Sequence, residues 1–569
     1  MQSNAPRLLS SVVTLLIAGS VQAQTTGADI AASQEQLQQE RDRLLRQQQE
    51  QTPDVRLPAP RKTDASAPFP VEESPCFPIT RINLTGEATE RFEFILSSVT
   101  GKDGALGRCL GTEGINTVIA RLQNSLILHG YTTTQVRAAP QDLKTGELVL
   151  TILPGHVRHI RFAADADPRG TAWNALPINE GEIFNLRDIE QGLENFKRVP
   201  TAEADIRIAP SETAGQPGDS DLIIHYRQNF PFRLNISLDD GGSKATGKYQ
   251  AGGTLSYDNW WTLNDLFYAN WNRSLGQYGN QGVHSYTVHY SIPAGYWTLG
   301  GTLSGSRYHQ QVAGANPENA VIYSGQSENA ELKLSRLIYR DAVRKTTLSI
   351  KGLLRSSRNF IDDTEVGPQR RQSSAVEAAI NHREFIGNAT VDASLAYRRT
   401  FDKQGKEPEF MVDLPQLATR YGLFLADANI NAPFQLSDQR LRYNGTVRAQ
   451  WNRGALPSQD QFAIGSRYTV RGFDGELILQ AERGWVMRNE LALALGQSNQ
   501  ELYAAIDAGQ VSGPSAQYLI GERLAGAAIG LRGALWKSGY EVFIATPIRK
   551  PEGFRTAAVT GGFSINLSF

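Results

Sequence analysis

Three short constellations hold side chains able to do chemistry. Gly242-Ser243-Lys244-Ala245-Thr246-Gly247-Lys248-Tyr249 comes close to a phosphate-binding P-loop. Tyr249, however, stands where a serine or threonine hydroxyl must meet magnesium, and the flanks alternate like a β-hairpin instead of running strand then helix. The segment reads as a turn. His156 and His159 follow Pro154-Gly155 without a third ligand and read as surface residues. Cys76 and Cys109 are the only cysteines. Two thiolates without a nearby histidine pair do not complete a tetrahedral metal site, whereas in an exported, oxidising setting they read as one disulfide. There is no HExxH motif and no G-x-S-x-G nucleophile elbow. The sequence proposes no enzyme, no cofactor and no metal.

The elements around these residues point to export. Arg7 precedes an apolar run from Leu8 to Ala18, and Val21-Gln22-Ala23 offers small residues to a signal peptidase, so residues 1–23 read as a signal peptide. That run is too short to cross a bilayer, and no later segment approaches roughly 18 consecutive apolar residues, which excludes helical membrane spans. A hydrophobic content of 40% and a mean hydropathy of −0.35 fit a soluble protein or a transmembrane barrel, whose lumen-facing residues are polar. With 57 Lys and Arg against 58 Asp and Glu, nothing suggests nucleic acid.

Residues 28–51 lack glycine and proline and are rich in Gln, Glu, Arg and Leu, which predicts a polar helix suited to solvent or a wet channel. Residues 52–75, with Pro53, Pro58, Pro60, Pro68, Pro70 and Pro75, read as an extended linker. Residues 76–154 read as β-α-α-β-β, with helices over 89–100 and 114–129 and strands over 131–136 and 147–153. A related pattern restarts over 155–230, with strand 157–162, helix 186–197 and strands 204–208 and 221–226; two copies of one α+β unit are a repeat signal.

After Phe230 the helical period gives way to sixteen strand-like segments, many strictly alternating, as in Leu266-Phe267-Tyr268-Ala269-Asn270-Trp271-Asn272. Their connections alternate short and long, the habit of outer-membrane barrels with periplasmic turns and extracellular loops. An even strand count returns the C-terminus to the side of the N-terminal domains. In the last segment Phe563, Ile565, Leu567 and Phe569 share one face, with Ser564, Asn566 and Ser568 on the other.

The longest connection, residues 453–484, contains Val470-Arg471-Gly472-Phe473, and a later strand carries Tyr503 and Asp507-Ala508-Gly509. Here the chain resembles the two-partner secretion transporters (TpsB), exporters of haemolysins, haemagglutinins and contact-dependent inhibition toxins. They belong to a superfamily whose barrels follow POTRA domains. LDDGGSKATGKYQ at residues 238–250 is similar to the family's first hairpin. The resemblance covers the mature chain. It implies a 16-stranded antiparallel outer-membrane β-barrel over 231–569, preceded by a plug helix at 28–51 and two α+β POTRA-like domains at 76–154 and 155–230 in the periplasm. It further implies a sixth extracellular loop folded into the lumen. The loop tip Val470, Arg471, Gly472 and Phe473 would meet Asp507 and Gly509, and Phe569 would serve as a membrane-insertion signal. Arginine suits that role, because its planar fork meets a carboxylate bidentately and keeps its charge.

The implied function is ATP-free secretion, with possible activation, of one large cognate exoprotein: a haemolysin, an adhesin or a contact-dependent inhibition toxin. Outer-membrane lipids and the barrel-assembly machinery would be the other partners. The rival readings are a barrel-assembly factor, whose members usually have more POTRA units and no polar N-terminal helix, and a porin-type channel, which has no use for two periplasmic domains.

Overall fold

A computed structural model describes residues 27–58, 68–101, 103–211, 217–276, 281–313, 320–404 and 420–569. The leader expected at 1–23 lies outside them. The polar helix α1 spans Gly27–Gln49, slightly short of the expected 28–51 at its C-terminal end.

The first α+β unit contains β1 (Arg81–Gly86), α2 (Thr112–Leu128), β2 (Gln135–Arg137) and β3 (Glu147–Leu153). β3 lies between the others, parallel to β1 and antiparallel to β2. Its alternation puts Leu148, Leu150 and Ile152 against Val118, Leu122 and Leu126 of α2, all buried. The Glu73 carboxylate, from the linker, accepts from the N–H groups of Gly111, Glu113 and Gly114 and so caps the start of α2, where helical N–H groups lack intrahelical partners. The expected helix over 89–100 is broken into α-helical turns at Thr89–Phe92 and Ser97–Thr100 around a 3-10 turn at Glu93–Leu96. Ser97 and Ser98 donate to carbonyls three residues back, the local competition that makes serine a poor interior helix residue. Cys76 and Cys109 form a disulfide with Cα atoms 5.2 Å apart.

The second unit repeats the topology with β4 (Val157–Phe162), α3 (Leu186–Lys197), β5 (Ala202–Pro210) and β6 (Ser220–Gln228), in sheet order β4-β6-β5. Asn185 caps α3 by accepting from Arg187 N–H at 2.8 Å. His159 is exposed, but His156 is not the surface residue its sequence context suggests. It is half-buried, with Nε2 3.1 Å from Glu87 of the first unit and Nδ1 3.6 Å from Asp219 of the second. Among the described residues no cluster of three His, Cys, Asp or Glu is placed to hold a metal.

Sixteen antiparallel strands close the barrel, from the first (Phe232–Asp239) to the sixteenth (Thr560–Ser568). The seam pairs these two, from Ser564 opposite Asp239 to Ser568 opposite Asn235, and Phe569 N–H donates to Leu234 O at 2.9 Å. On one side the connections are tight, as at Ile386–Ala389, Leu436–Gln439 and Leu535–Ser538. The second unit docks there: Asn195 donates to Gly295 O at 2.8 Å, and Arg198 to Ser291 Oγ at 2.8 Å. On the other side the strands run long, the sixth spanning 21 residues (Ala320–Arg340), where about 9–11 suffice to cross a bilayer. The excess extends that wall beyond the membrane. Leu502 and Ile506 point outward while Tyr503, Ala505 and Asp507 are buried inward, the period-two division between lipid and lumen.

Candidate functional site

The longest connection runs from the eleventh strand (Gln439–Trp451) to the twelfth (Arg483–Ala494). It folds into the barrel on a two-stranded ribbon, Phe462–Ile464 with Leu479–Ala481. Phe462, Ile464, Leu479, Val470 and Phe473 pack with Val486, Val511 and Leu524 of the wall. This apolar pad holds the loop where a solvated loop could not stay. Phe473 also meets Phe554 edge-on, ring centroids 5.6 Å apart.

At the tip, Arg471 donates from Nε to Asp507 Oδ2 at 2.7 Å and from Nη2 to Asp507 Oδ1 at 2.9 Å. Its backbone N–H donates to the same Oδ2 at 3.0 Å. Asp507, on the thirteenth strand (Gln500–Ser512), is fully buried, and Arg471 is 5% exposed. Gly472 adopts φ +105°, a left-handed conformation that disfavours side chains, and a Cβ there would lie 2.4 Å from Thr546 O. Gly509 lies beside Ile464 and Val470, where a Cβ would meet both at 3.0 and 3.3 Å. The structure therefore brings together Val470, Arg471, Gly472, Asp507 and Gly509, with Phe473 anchored beside them. Phe569 is elsewhere, at the seam.

Several residues escaped the sequence reading. Arg471 Nη1 also donates to Glu490 Oε2 at 2.8 Å, and Glu490 Oε1 lies 2.7 Å from Arg532. A Cβ at Gly526 would sit 1.8 Å from Arg471 O, so only glycine lets the tip backbone reach the wall. The signal for Glu490 was its parity: along the twelfth strand it shares a face with Arg488, opposite lipid-facing Met487 and Leu491. Nothing in the spacing marked Gly526.

α1 lies inside the lumen and is tied to several sides of it. Arg41 pairs with Asp239 of the first strand at 2.8 Å, Arg43 with Asp427 at 2.6 Å, Arg46 with Glu331 at 2.6 Å and Glu40 with Arg448 at 2.7 Å. Gln36 donates to Gln461 O of the loop at 2.9 Å. The neighbouring Asp240 takes Arg467 of the loop at 2.6 Å and the N–H of Phe563, on the last strand, at 2.8 Å. α1, loop and seam thus converge on two consecutive carboxylates, Asp239 and Asp240.

A closed antiparallel barrel with tandem α+β units on its short-turn side, a polar helix in its lumen and an inward loop defines an outer-membrane transporter of the POTRA-plus-barrel class. The family model described as haemolysin secretion/activation protein ShlB/FhaC/HecB matches residues 218–533. A ShlB-type POTRA domain matches 77–155, and another POTRA domain 156–210. Outer membrane transporter CdiB-2 of Burkholderia pseudomallei is 35% identical over 597 residues, covering 99% of this chain and 100% of that protein. Hemolysin transporter protein ShlB of Serratia marcescens is 25% identical, covering 75% and 74%. The solved CdiB from Acinetobacter baumannii superposes with a TM-score of 0.83 at 31% identity, covering 95% of this chain and 99% of that one. The chain belongs to the haemolysin secretion/activation family. It is an outer-membrane transporter of two-partner secretion, with its POTRA domains in the periplasm.

Proposed function

We propose that the chain exports one large cognate exoprotein as an extended polypeptide and performs no catalysis of its own. The observation that carries the reading is a lumen occupied by a polar helix, above a periplasmic mouth where β5 presents an open sheet edge. A cavity of about 940 Å³ lies between that edge, at Ala202 and Ala204, and Gln48 of α1 with residues 51–54 beyond it. An unfolded chain adds to such an edge by backbone hydrogen bonds, which demand little of its sequence. For the chain to pass, α1 must leave the lumen. The ion pairs that hold α1 run to polar walls, so water can replace them. The tip Val470–Phe473, docked on Asp507 and Gly509, sets the loop's position in the pore. Refolding of the exoprotein outside supplies the drive without ATP. Residues 1–23 are removed on export, and Phe569, at the seam, presents the C-terminal signal to the barrel-assembly machinery, which delivers the barrel to outer-membrane lipid.

The test is secretion by cells carrying the exoprotein gene with and without this chain. Exoprotein in the medium only when the chain is present supports the reading. Loss of other outer-membrane barrels on deletion would instead indicate an assembly factor.

A further inference from the structure

After residues 50–52, which follow the end of α1, the chain crosses a groove between α3 and the barrel's periplasmic rim in extended form. Val55 and Leu57 are half-buried and pack on the core of the second unit, while Arg56 and Pro58 are exposed. Val55 N–H donates to Glu194 Oε1 at 2.8 Å and Leu57 N–H to Glu190 Oε1 at 2.8 Å, the same-side pairing of alternate residues in a strand. Val55 O accepts from Arg340 Nη2 at 2.7 Å. Arg340, at the end of the sixth strand, also binds both carboxylates, at 3.2 Å to Glu190 and 2.9 Å to Glu194. All three side chains are nearly buried, at 3%, 0% and 8% exposure. Flanking side chains are read more specifically: Asp54 meets Lys345 at 2.7 Å and Arg383 at 2.9 Å, and Arg56 lies 4.3 Å over Phe385.

Three hydrogen bonds are aimed at backbone and the flanking contacts at side chains, so the groove fits an extended chain with an acidic residue followed by aliphatic residues at alternate positions. It also cannot stay filled during transport. α1 has 23 residues, about 35 Å at 1.5 Å per residue. Residues 50–52 can span only about 10 Å. Withdrawal of α1 toward the periplasm, to which its C-terminus is joined, therefore strips residues 53–57 from the groove. The groove opens beside the cavity where the exported chain arrives.

We propose that this groove is a docking site for an extended segment of the exported polypeptide, acidic then aliphatic at alternate positions, which residues 53–57 occupy in its place at rest. The proposal rests on the export reading above. The probe is a fluorescent peptide, EQTPDVRLP, with the sequence of residues 50–58, added to the full chain in detergent micelles. It should bind Val55→Asp/Leu57→Asp, whose linker is expelled, and not the wild type. N-methylation of the peptide's Val and Leu amides, which removes both N–H donors and leaves the protein untouched, should weaken binding at least tenfold. Equal binding of methylated and plain peptide, or no binding to the variant, overturns the proposal. In cells, a photoreactive side chain at Gln191 of α3, which accepts from Arg340 Nη1 at 3.1 Å beside the linker, should capture the chain's own linker at rest. During export it should form a high-mass adduct with the exoprotein. Export with adducts confined to the linker overturns the proposal. Absence of any export by the wild type overturns the export reading instead, since the peptide result does not depend on it.

Discussion

Arg471→Ala removes one side chain that answers two carboxylates. Asp507 loses a bidentate partner at 2.7 and 2.9 Å, and Glu490 loses a contact at 2.8 Å. Stranding a buried charge costs about 3–5 kcal/mol. Two contacts survive and reduce that figure. Arg488 Nε stays 3.7 Å from Asp507, and the backbone N–H of residue 471 still reaches Oδ2 if the loop remains docked. The expected loss of docking is about 2–4 kcal/mol, a roughly thirty- to thousandfold rise in the undocked population. Val470 is fully buried, so the labelling rate of Val470→Cys by a membrane-impermeant maleimide reports that population. Arg471→Ala in this background should raise the rate by that factor and strongly reduce export, while heat-modifiable migration shows a folded barrel. Arg471→Lys should be impaired as well, because a point charge cannot reproduce the fork. Asp507→Ala should be milder than Arg471→Ala, since Arg471 keeps Glu490. The double variant should match the worse single one, the non-additivity of a coupled pair. Additive defects, or labelling unchanged in Arg471→Ala, would refute the docking argument.

Reducing the Cys76–Cys109 disulfide, which spans 33 residues, should destabilise the first POTRA domain by roughly 3–4 kcal/mol in the chain-entropy model, read from denaturant unfolding of oxidised and reduced protein. Deleting residues 27–49 should raise single-channel conductance in planar bilayers with the barrel intact; an unchanged conductance would mean that α1 does not limit the pore. Burial pushes the Asp188 carboxyl of α3 up to about 6, opposed by the Tyr296 hydroxyl, which donates to it, and by Arg91 and Arg340, and aided by Glu182. A raised carboxyl favours the fold when protonated, so docking of the second POTRA domain should be tightest in acid and weaken as pH climbs from about 4 to 6, by on the order of 1–2 kcal/mol after allowance for solvent screening. Spin-label distances between α3 and the 294–297 turn would follow this, and Asp188→Asn should flatten the profile.

The barrel was legible because lipid imposes one rule on every strand. Outward positions must be apolar, which writes a period of two into the sequence, as in residues 266–272 of the third strand, Leu266–Ser274. The long extracellular ends were less legible: the sixth strand starts at Ala320, ahead of the alternation in its membrane-crossing part. Outside the bilayer no solvent contrast marks the two faces, while the hydrogen-bond ladder continues. The same asymmetry explains what was missed at the site. Arg471 and Asp507 were found through motifs, whereas Glu490, Arg532 and Gly526 face a wet lumen in which polar residues are everywhere permitted. Period two can say that Glu490 points inward. It cannot say that Glu490 takes the Arg471 side chain while Arg488 reaches the Tyr468 carbonyl, because that depends on the height of a loop tip set by the apolar pad around Phe462, Val470 and Leu524. Gly526 is the sharper case. On the pattern alone it is one more small residue in a glycine- and alanine-rich strand, and its necessity arises only from the carbonyl of Arg471, 55 positions earlier in the chain.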